Sequence, residues 1–222
     1  MGRDILIPAV DSMLASADAA LGVDLDLVVV GVIRSASTHA ALAERLGPRV
    51  RHMDMEFDVA DSSRKKNAGW RSAEAPIVCF CDDDVIVEPA WLRNVALAFQ
   101  REDVDILSGP SLVPEDLAWW ARIAAATMAS PAAGLAAARY RRGGDGLRRI
   151  KWSGIIGCNM AFRRGVLEAI GGFPEAIWPN EENAAACAAE RAGYRIFFEP
   201  AAAVRHYPRA TLGGFLKQVF RY

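Results

Sequence analysis

Five apolar residues, Ile77-Val78-Cys79-Phe80-Cys81, run straight into three aspartates, Asp82-Asp83-Asp84, and no other stretch limits the fold so tightly. A continuous apolar pentapeptide with β-branched and aromatic members suits a strand buried on both faces. Three carboxylates directly behind it must meet water or a cation, because an unpaired buried charge is too costly. The strand therefore ends at an open edge of its sheet.

The neighbouring segments supply the rest of the sheet. Residues 5–10 read as a first buried strand, and residues 11–21 as a helix. Residues 25–33, containing Leu27-Val28-Val29-Val30, read as a second strand. Residues 36–46 suit a helix that stops at Gly47-Pro48, residues 50–57 a strand and residues 64–72 a helix. Residues 89–101 form an amphipathic helix with Trp91, Leu92, Val95 and Phe99 at helical spacing, and residues 104–107 a further strand. This alternation predicts an α/β fold, a central mostly parallel sheet flanked by helices. Ligands of such sheets collect at the carboxyl ends of the strands, where the acidic triplet lies.

Bulk properties narrow the field. The chain has 222 residues, 52% of them hydrophobic, which suits one domain with one sizeable core. Its 26 Lys and Arg balance 27 Asp and Glu, so it lacks the basic excess of a general nucleic-acid binder. Cys79, Cys81, Cys158 and Cys187 have no zinc-type spacing and read as buried thiols of a reducing compartment. The start, Met1-Gly2-Arg3-Asp4-Ile5-Leu6, lacks the pattern of a signal peptide. Residues 117–138 come nearest to a membrane span, but Arg122 and Pro131 interrupt them.

Along an extended chain Asp82 and Asp84 would project together and Asp83 oppositely. Converging carboxylates repel, and Mg²⁺ or Mn²⁺ would relieve them; a solvated acidic turn is the alternative. A second acidic site, Trp178-Pro179-Asn180-Glu181-Glu182-Asn183, precedes an alanine-rich helical stretch, residues 184–192. Asn180 could cap that helix with Glu181 and Glu182 in its first turn, so capping alone would also account for them. Arg64-Lys65-Lys66-Asn67 is a basic cluster suited to phosphate, or an exposed basic turn. His206 follows an apolar run and is either a metal or phosphate ligand or a hydrogen-bonded structural histidine.

In this order the pieces resemble a family 2 glycosyltransferase with the nucleotide-sugar-binding GT-A fold. Lys66-Asn67-Ala68-Gly69, then residues 77–89 and Trp91-Leu92, look like the family's Asn-x-Gly, strand, Asp-x-Asp and Pro-x-Trp-Leu block. Gly157-Cys158-Asn159-Met160 looks like its acceptor-side segment, and Ile170-Gly171-Gly172-Phe173-Pro174 follows. Pro179-Asn180-Glu181-Glu182-Asn183 is similar to its Glu-Asp catalytic motif and looks closest to envelope or exopolysaccharide members. Val204-Arg205-His206-Tyr207-Pro208-Arg209 completes the run.

The resemblance implies an inverting transfer of a sugar from a nucleotide-diphosphate donor to a hydroxyl of a polysaccharide or glycolipid. It implies a single domain over residues 1–222. About residues 1–110 would form the nucleotide-sugar-binding half and about 111–222 the acceptor and catalytic half. Glu182, with Glu181 beside it, would be catalytic. Asp82, Asp83, Arg64, Lys66 and Asn67 would bind the donor, and Asp84 and His206 a Mg²⁺ or Mn²⁺ ion. Asn159 and Trp178 would lie on the acceptor side. A carboxylate base and a cation at the departing diphosphate are what such chemistry requires.

Two departures stand out. The family's aspartates after the second strand are missing from Gly31-Val32-Ile33-Arg34, and Asp58 or Asp61 could substitute for them. The catalytic aspartate is replaced by the longer Glu182. The alternative is a degenerate GT-A module that binds a nucleotide sugar or a partner protein without turnover. A nucleotidyltransferase is disfavoured, since Ile7-Pro8-Ala9-Val10-Asp11 offers no glycine-rich phosphate loop. Leu212, Phe215, Leu216, Val219 and Phe220 give a C-terminal helix an apolar face, for packing on the core or for contact with a membrane surface. Trp119-Trp120 and residues 139–149 would belong to one membrane-facing or acceptor-facing surface. The expected location is cytoplasmic, with peripheral contact at the inner face of the cell membrane.

Overall fold

A computed structural model describes residues 5–58, 61–114, 117, 119–130, 137–144 and 146–207. The expected C-terminal helix lies outside the described residues. The chain opens with helix α1 (Leu6–Asp18), strand β1 (Leu27–Val30), α2 (Ala36–Ala43), β2 (Val50–Met53) and α3 (Ser62–Ser72). Then come β3 (Ile77–Cys81), β4 (Val85–Val87), α4 (Trp91–Phe99), β5 (Ile106–Ser108), β6 (Ser111–Leu112) and α5 (Trp119–Ala129). The second half adds β7 (Arg148–Ile150), a 3-10 turn (Trp152–Gly154), β8 (Asn159–Arg163), α6 (Arg164–Ile170), α7 (Glu181–Arg191), β9 (Ile196–Phe198) and β10 (Val204–His206).

Residues 5–10 are not a strand but belong to the start of α1. Leu6, Val10 and Leu14 recur every fourth residue, and with Ile7 they pack on Leu42 and Val50, so the helical repeat outweighs the short apolar run. Pro8 lies in the first turn, where its missing N–H costs nothing.

The main sheet has the order β3-β8-β5-β9-β7. It is mixed rather than mostly parallel. Strand β8 enters between β3 and β5 and runs antiparallel to both. Only β9 lies parallel to β5, and β7 closes the edge antiparallel to β9. Alternation in the first half of the chain carried no sign of a strand inserted from the second. Strands β1 and β2 form a separate parallel pair, and β4-β10-β6 a third sheet.

Apolar residues cover both faces of the main sheet. On one side α1 and α4 supply Ala17, Trp91, Leu92, Val95 and Phe99, packed with Leu107, Ala161 and Phe197. On the other, α6 and α7 supply Val166, Leu167, Ala185, Ala186 and Ala189, packed with Phe80, Ile106, Phe162 and Ile196. Phe80, Phe162 and Phe173 meet edge-to-face at 4.9–6.0 Å, each pair adding about 1 kcal/mol beyond its burial. The alanines of α7 let that helix sit close to the sheet, which fixes where its N-terminus points.

Register then places the site. Cys81 opposes Asn159, Ser108 opposes Met160 and Phe198, and Arg148 opposes Phe198. The ends of β3, β5 and β9 and the starts of β8 and β7 thus share one edge, and the triplet lies on it. Gly109 is required there: a Cβ would stand 2.0 Å from the Ala202 carbonyl oxygen and 2.7 Å from Asn159 Nδ2. Among the described residues no helix is long and apolar enough to cross a membrane.

Candidate active site

The triplet forms the turn between β3 and β4 rather than an extended segment. Pairing of β10 with β4 sets His206 opposite Val85, and the Tyr207 N–H donates to the Asp84 carbonyl at 3.0 Å. These backbone bonds bring Asp82, Asp84 and His206 together, with one ligand atom from each within 4.8 Å of the others. His206 Nε2 lies 3.1 Å from Asp84 Oδ1. That oxygen is buried and accepts no hydrogen bond among the described residues. A buried carboxylate oxygen left without a donor, beside an imidazole nitrogen and a second carboxylate, fits a hard divalent cation, and the group could hold one. Asp82, expected on the donor side, joins this group; Asp83 is exposed and outside it.

Surrounding protein raises the Asp82 carboxyl above its ordinary range by desolvation, against the opposing pull of Lys66 and His206. Asp82 is nonetheless exposed, so a ligand can reach it.

Glu181 and Glu182 occupy the first turn of α7, as expected, but Asn180 does not cap it with its side chain; it takes a left-handed φ of 77°. The two glutamates have different surroundings. Glu181 Oε1 accepts from Lys66 Nζ at 2.6 Å and from the Ser62 hydroxyl, and Lys66 also donates to Ser62 Oγ at 2.6 Å. Burial pushes the Glu181 carboxyl up, but the Lys66 charge and these hydrogen bonds outweigh it and hold it below its ordinary value. Glu182 is half-buried against Gly157, where a Cβ would come 3.3 Å from its carboxylate carbon. Desolvation, with the charges of Glu181 and Asp82, raises its carboxyl above the ordinary range. A carboxylate with a raised pKa and no ion pair among the described residues is suited to accept a proton.

The remaining expected residues divide by what they touch. Asn67 is 2% exposed. Its Nδ2 donates to the Phe173 carbonyl and Glu175, and its Oδ1 accepts from Phe173 N–H and Trp70 Nε1. It therefore clamps the loop before α7 rather than facing a donor. Gly172 is needed at that clamp, with φ +84° and the position of a Cβ 2.5 Å from Asn67 Oδ1.

Asn159 is likewise interior, bonded to Trp91 Nε1 and to the carbonyls of Pro110 and Ala202, so it holds β8 in place instead of touching an acceptor. Lys66 is engaged by Glu181, and Arg64 is exposed near Asp61 at 3.3 Å. Trp178 is half-buried in the loop leading to α7. Of the two candidate substitutes for the missing aspartates, Asp61 accepts from its own turn, at the Asp58 N–H. Asp58 lines a cleft of about 230 Å³ with Val32, Arg34, Glu56 and Lys65 at the end of β1. A larger depression of about 540 Å³, around Pro76, Arg163 and Tyr194, lies at the opposite edge of the sheet, so size does not select the site.

Ser62 and Tyr140 were not singled out by sequence. Ser62 lies one helical turn before Lys66, a signal visible only once α3 begins at Ser62. Tyr140 is half-buried and feels the charge of Glu182, and no pattern marks it.

The family model described as Glycosyltransferase like family 2 matches residues 4–222. No curated protein matches the sequence. The mannosyltransferase PcManGT from Pyrobaculum calidifontis, in complex with GDP-Man and Mn²⁺, is 18% identical with a TM-score of 0.65; the match covers 100% of this chain and 58% of that one. S. aureus TarS in complex with UDP-GlcNAc is 15% identical with a TM-score of 0.67, over 96% of this chain and 57% of that one. GalNAc-T7 with UDP, GalNAc and Mn²⁺ is 13% identical with a TM-score of 0.58, over 88% and 41%. The chain thus spans less than two-thirds of the length of these structures. The likeness establishes the GT-A α/β fold.

Proposed function

The chain belongs to the glycosyltransferase-like family 2, and from that premise we propose that it transfers a sugar from a nucleotide-diphosphate donor to an acceptor hydroxyl with inversion. The observation that carries this reading is the convergence of Asp82, Asp84 and His206 at the sheet edge, with Glu182 close enough to feel Asp82. Asp84 and His206, with Asp82, would hold Mg²⁺ or Mn²⁺. Bound there, a divalent cation supplies Lewis-acid stabilisation of the diphosphate's developing charge. Glu182 takes the proton of the acceptor hydroxyl as its oxygen bonds to the anomeric carbon, and the broken bond's electron pair leaves with the diphosphate. Glu181 is held by Lys66, so one carboxylate remains for proton transfer, which favours a single displacement over a covalent sugar intermediate.

Residues up to about 110, joined by His206, contribute the donor side, and the other later residues the base and acceptor side. The nucleotide base is assigned to the cleft at the end of β1, with Asp58 in place of the missing aspartates. The Pro179-Asn180-Glu181-Glu182-Asn183 run supports a saccharide or lipid-linked acceptor of the cell envelope, reached from the cytoplasmic side.

Transfer or hydrolysis measured across UDP, GDP and dTDP sugars with Mn²⁺ tests the reading. Turnover with one donor, lost in Glu182→Gln while nucleotide binding persists, is the expected result. Binding without turnover would point to the inactive module, which the carboxylate-free Gly31-Val32-Ile33-Arg34 favours. Neither binding nor turnover would overturn both.

A further inference from the structure

Six of the thirteen residues from 139 to 151 are cationic and only Asp145 is acidic, in a chain whose net charge is −1. Several of its described residues meet the active edge of the sheet. Arg142 Nη2 donates to both oxygens of Glu88, at 2.6 and 2.8 Å, just beyond β4, and β7 begins opposite the end of β9. At its other end Arg139 Nη2 donates to the Ser153 carbonyl and, at 3.3 Å, to Asn183 Oδ1, next in sequence to Glu182. The intervening Tyr140 feels the Glu182 charge.

Strand alternation divides the arginines of β7 between the two faces. Ile150 packs in the cluster containing Ala185, Ala186 and Ala189, so it and Arg148 face α7. Arg149 faces the other way. Arg148 lies 4.4 Å over the Phe198 ring, and its Nη1 is buried with no acceptor among the described residues. Arg139 Nε is buried and unsatisfied in the same sense. Neither arginine meets a carboxylate among the described residues. A buried guanidinium N–H without an acceptor is an unmet demand for an anion, and the planar fork matches phosphate or carboxylate.

We propose that Arg139 and Arg148, on the face of the active edge that α7 covers, bind an anion and that the acceptor is an anionic saccharide bearing phosphate or carboxylate, with Arg139 meeting it next to Asn183, the neighbour of Glu182. This rests on the reading of Glu182 as the base. A lipid headgroup layer would instead draw on outward-facing cations such as Arg149 and on the exposed Trp119 and Ile123, whereas the unsatisfied N–H groups are recessed.

Calorimetry of the full chain with a galacturonate hexamer, a phosphorylated maltohexaose, maltohexaose itself and phosphatidylglycerol vesicles tests it. We expect a charged hexasaccharide to bind at least tenfold more tightly than maltohexaose, the better of the two identifying the anion. Arg148→Gln should weaken that binding at least tenfold and Arg149→Gln less than twofold. Should Arg148→Gln fail to fold, Arg148→Lys keeps the charge but not the fork, and should still lose severalfold. Equal binding of maltohexaose, equal loss in Arg149→Gln, binding of vesicles alone, or no binding at all would overturn the proposal. UDP and GDP titrated with Mn²⁺ into the unmodified chain report separately on the donor site. Failure there with anion binding intact counts against the transferase reading instead.

Discussion

The pair formed by Lys66 and Glu181 links α3 to the N-terminus of α7, and its removal should be felt throughout the site. Both side chains are nearly closed to solvent, at 13% and 6% exposed, and their charged atoms are 2.6 Å apart. At an effective dielectric near 20 that distance gives a gross attraction of about 6 kcal/mol. Desolvation takes back much of it, and breaking such a pair costs about 3–5 kcal/mol because one charge stays buried alone. Glu181 would keep Ser62, so Lys66→Met should cost about 3 kcal/mol at neutral pH. For a chain of this size that is a fall in Tm of roughly 6–12 °C, read by circular dichroism.

The double variant Lys66→Met with Glu181→Leu removes both charges and should recover most of the loss. The pH dependence has a definite sign. Glu181 is held below its ordinary value, so its contribution is complete above the unfolded glutamate pKa, about 4.3, and disappears as pH falls through the lower folded value. The gap between wild type and Lys66→Met should therefore close in acid. A Tm within about 1 °C of wild type, or a double variant as unstable as the single one, would refute the reasoning.

Glu182→Gln should raise Tm at pH 7, because folding disfavours the ionised glutamate; the gain should vanish below about pH 4, where the unfolded carboxyl is also neutral. In the active enzyme the same raised value should shift the acid limb of the rate profile above that of an ordinary carboxylate. Asn67→Leu should cost about 3 kcal/mol in urea unfolding, since it strands the Phe173 N–H and Trp70 Nε1. Gly109→Ala should cost about 3 kcal/mol or more, because its Cβ would meet the Ala202 backbone rather than a side chain that can swing away.

Strand β3 and the acidic turn after it were legible because burial and charge change abruptly within eight residues. The alternation of strands and helices was legible for the same local reasons. Pairing was not: nothing in residues 159–163 says that β8 enters between β3 and β5, because partner choice is a long-range property. Helix α1 was misread where a short apolar run fits either period and only its partners Leu42 and Val50 decide. At the site, Asp84 and His206 were singled out by residue type and motif position, and the fold brings them together with Asp82. Asn67 and Asn159 were placed at the site by motif position, yet each lies in the interior meeting carbonyls that only the folded chain supplies. Lys66 and Glu181, 115 positions apart, had no local sign of being partners.

In the proposed reaction Asp84 and His206 would hold the cation that meets the donor's diphosphate. Titration of Mn²⁺ against the chain with UDP present, followed by the spin-resonance signal of free Mn²⁺, addresses this directly. One nucleotide-dependent Mn²⁺ site, weakened at least tenfold by Asp84→Ala and by His206→Ala, is the predicted result. UDP binding that needs no Mn²⁺ and is unchanged in Asp84→Ala would contradict it.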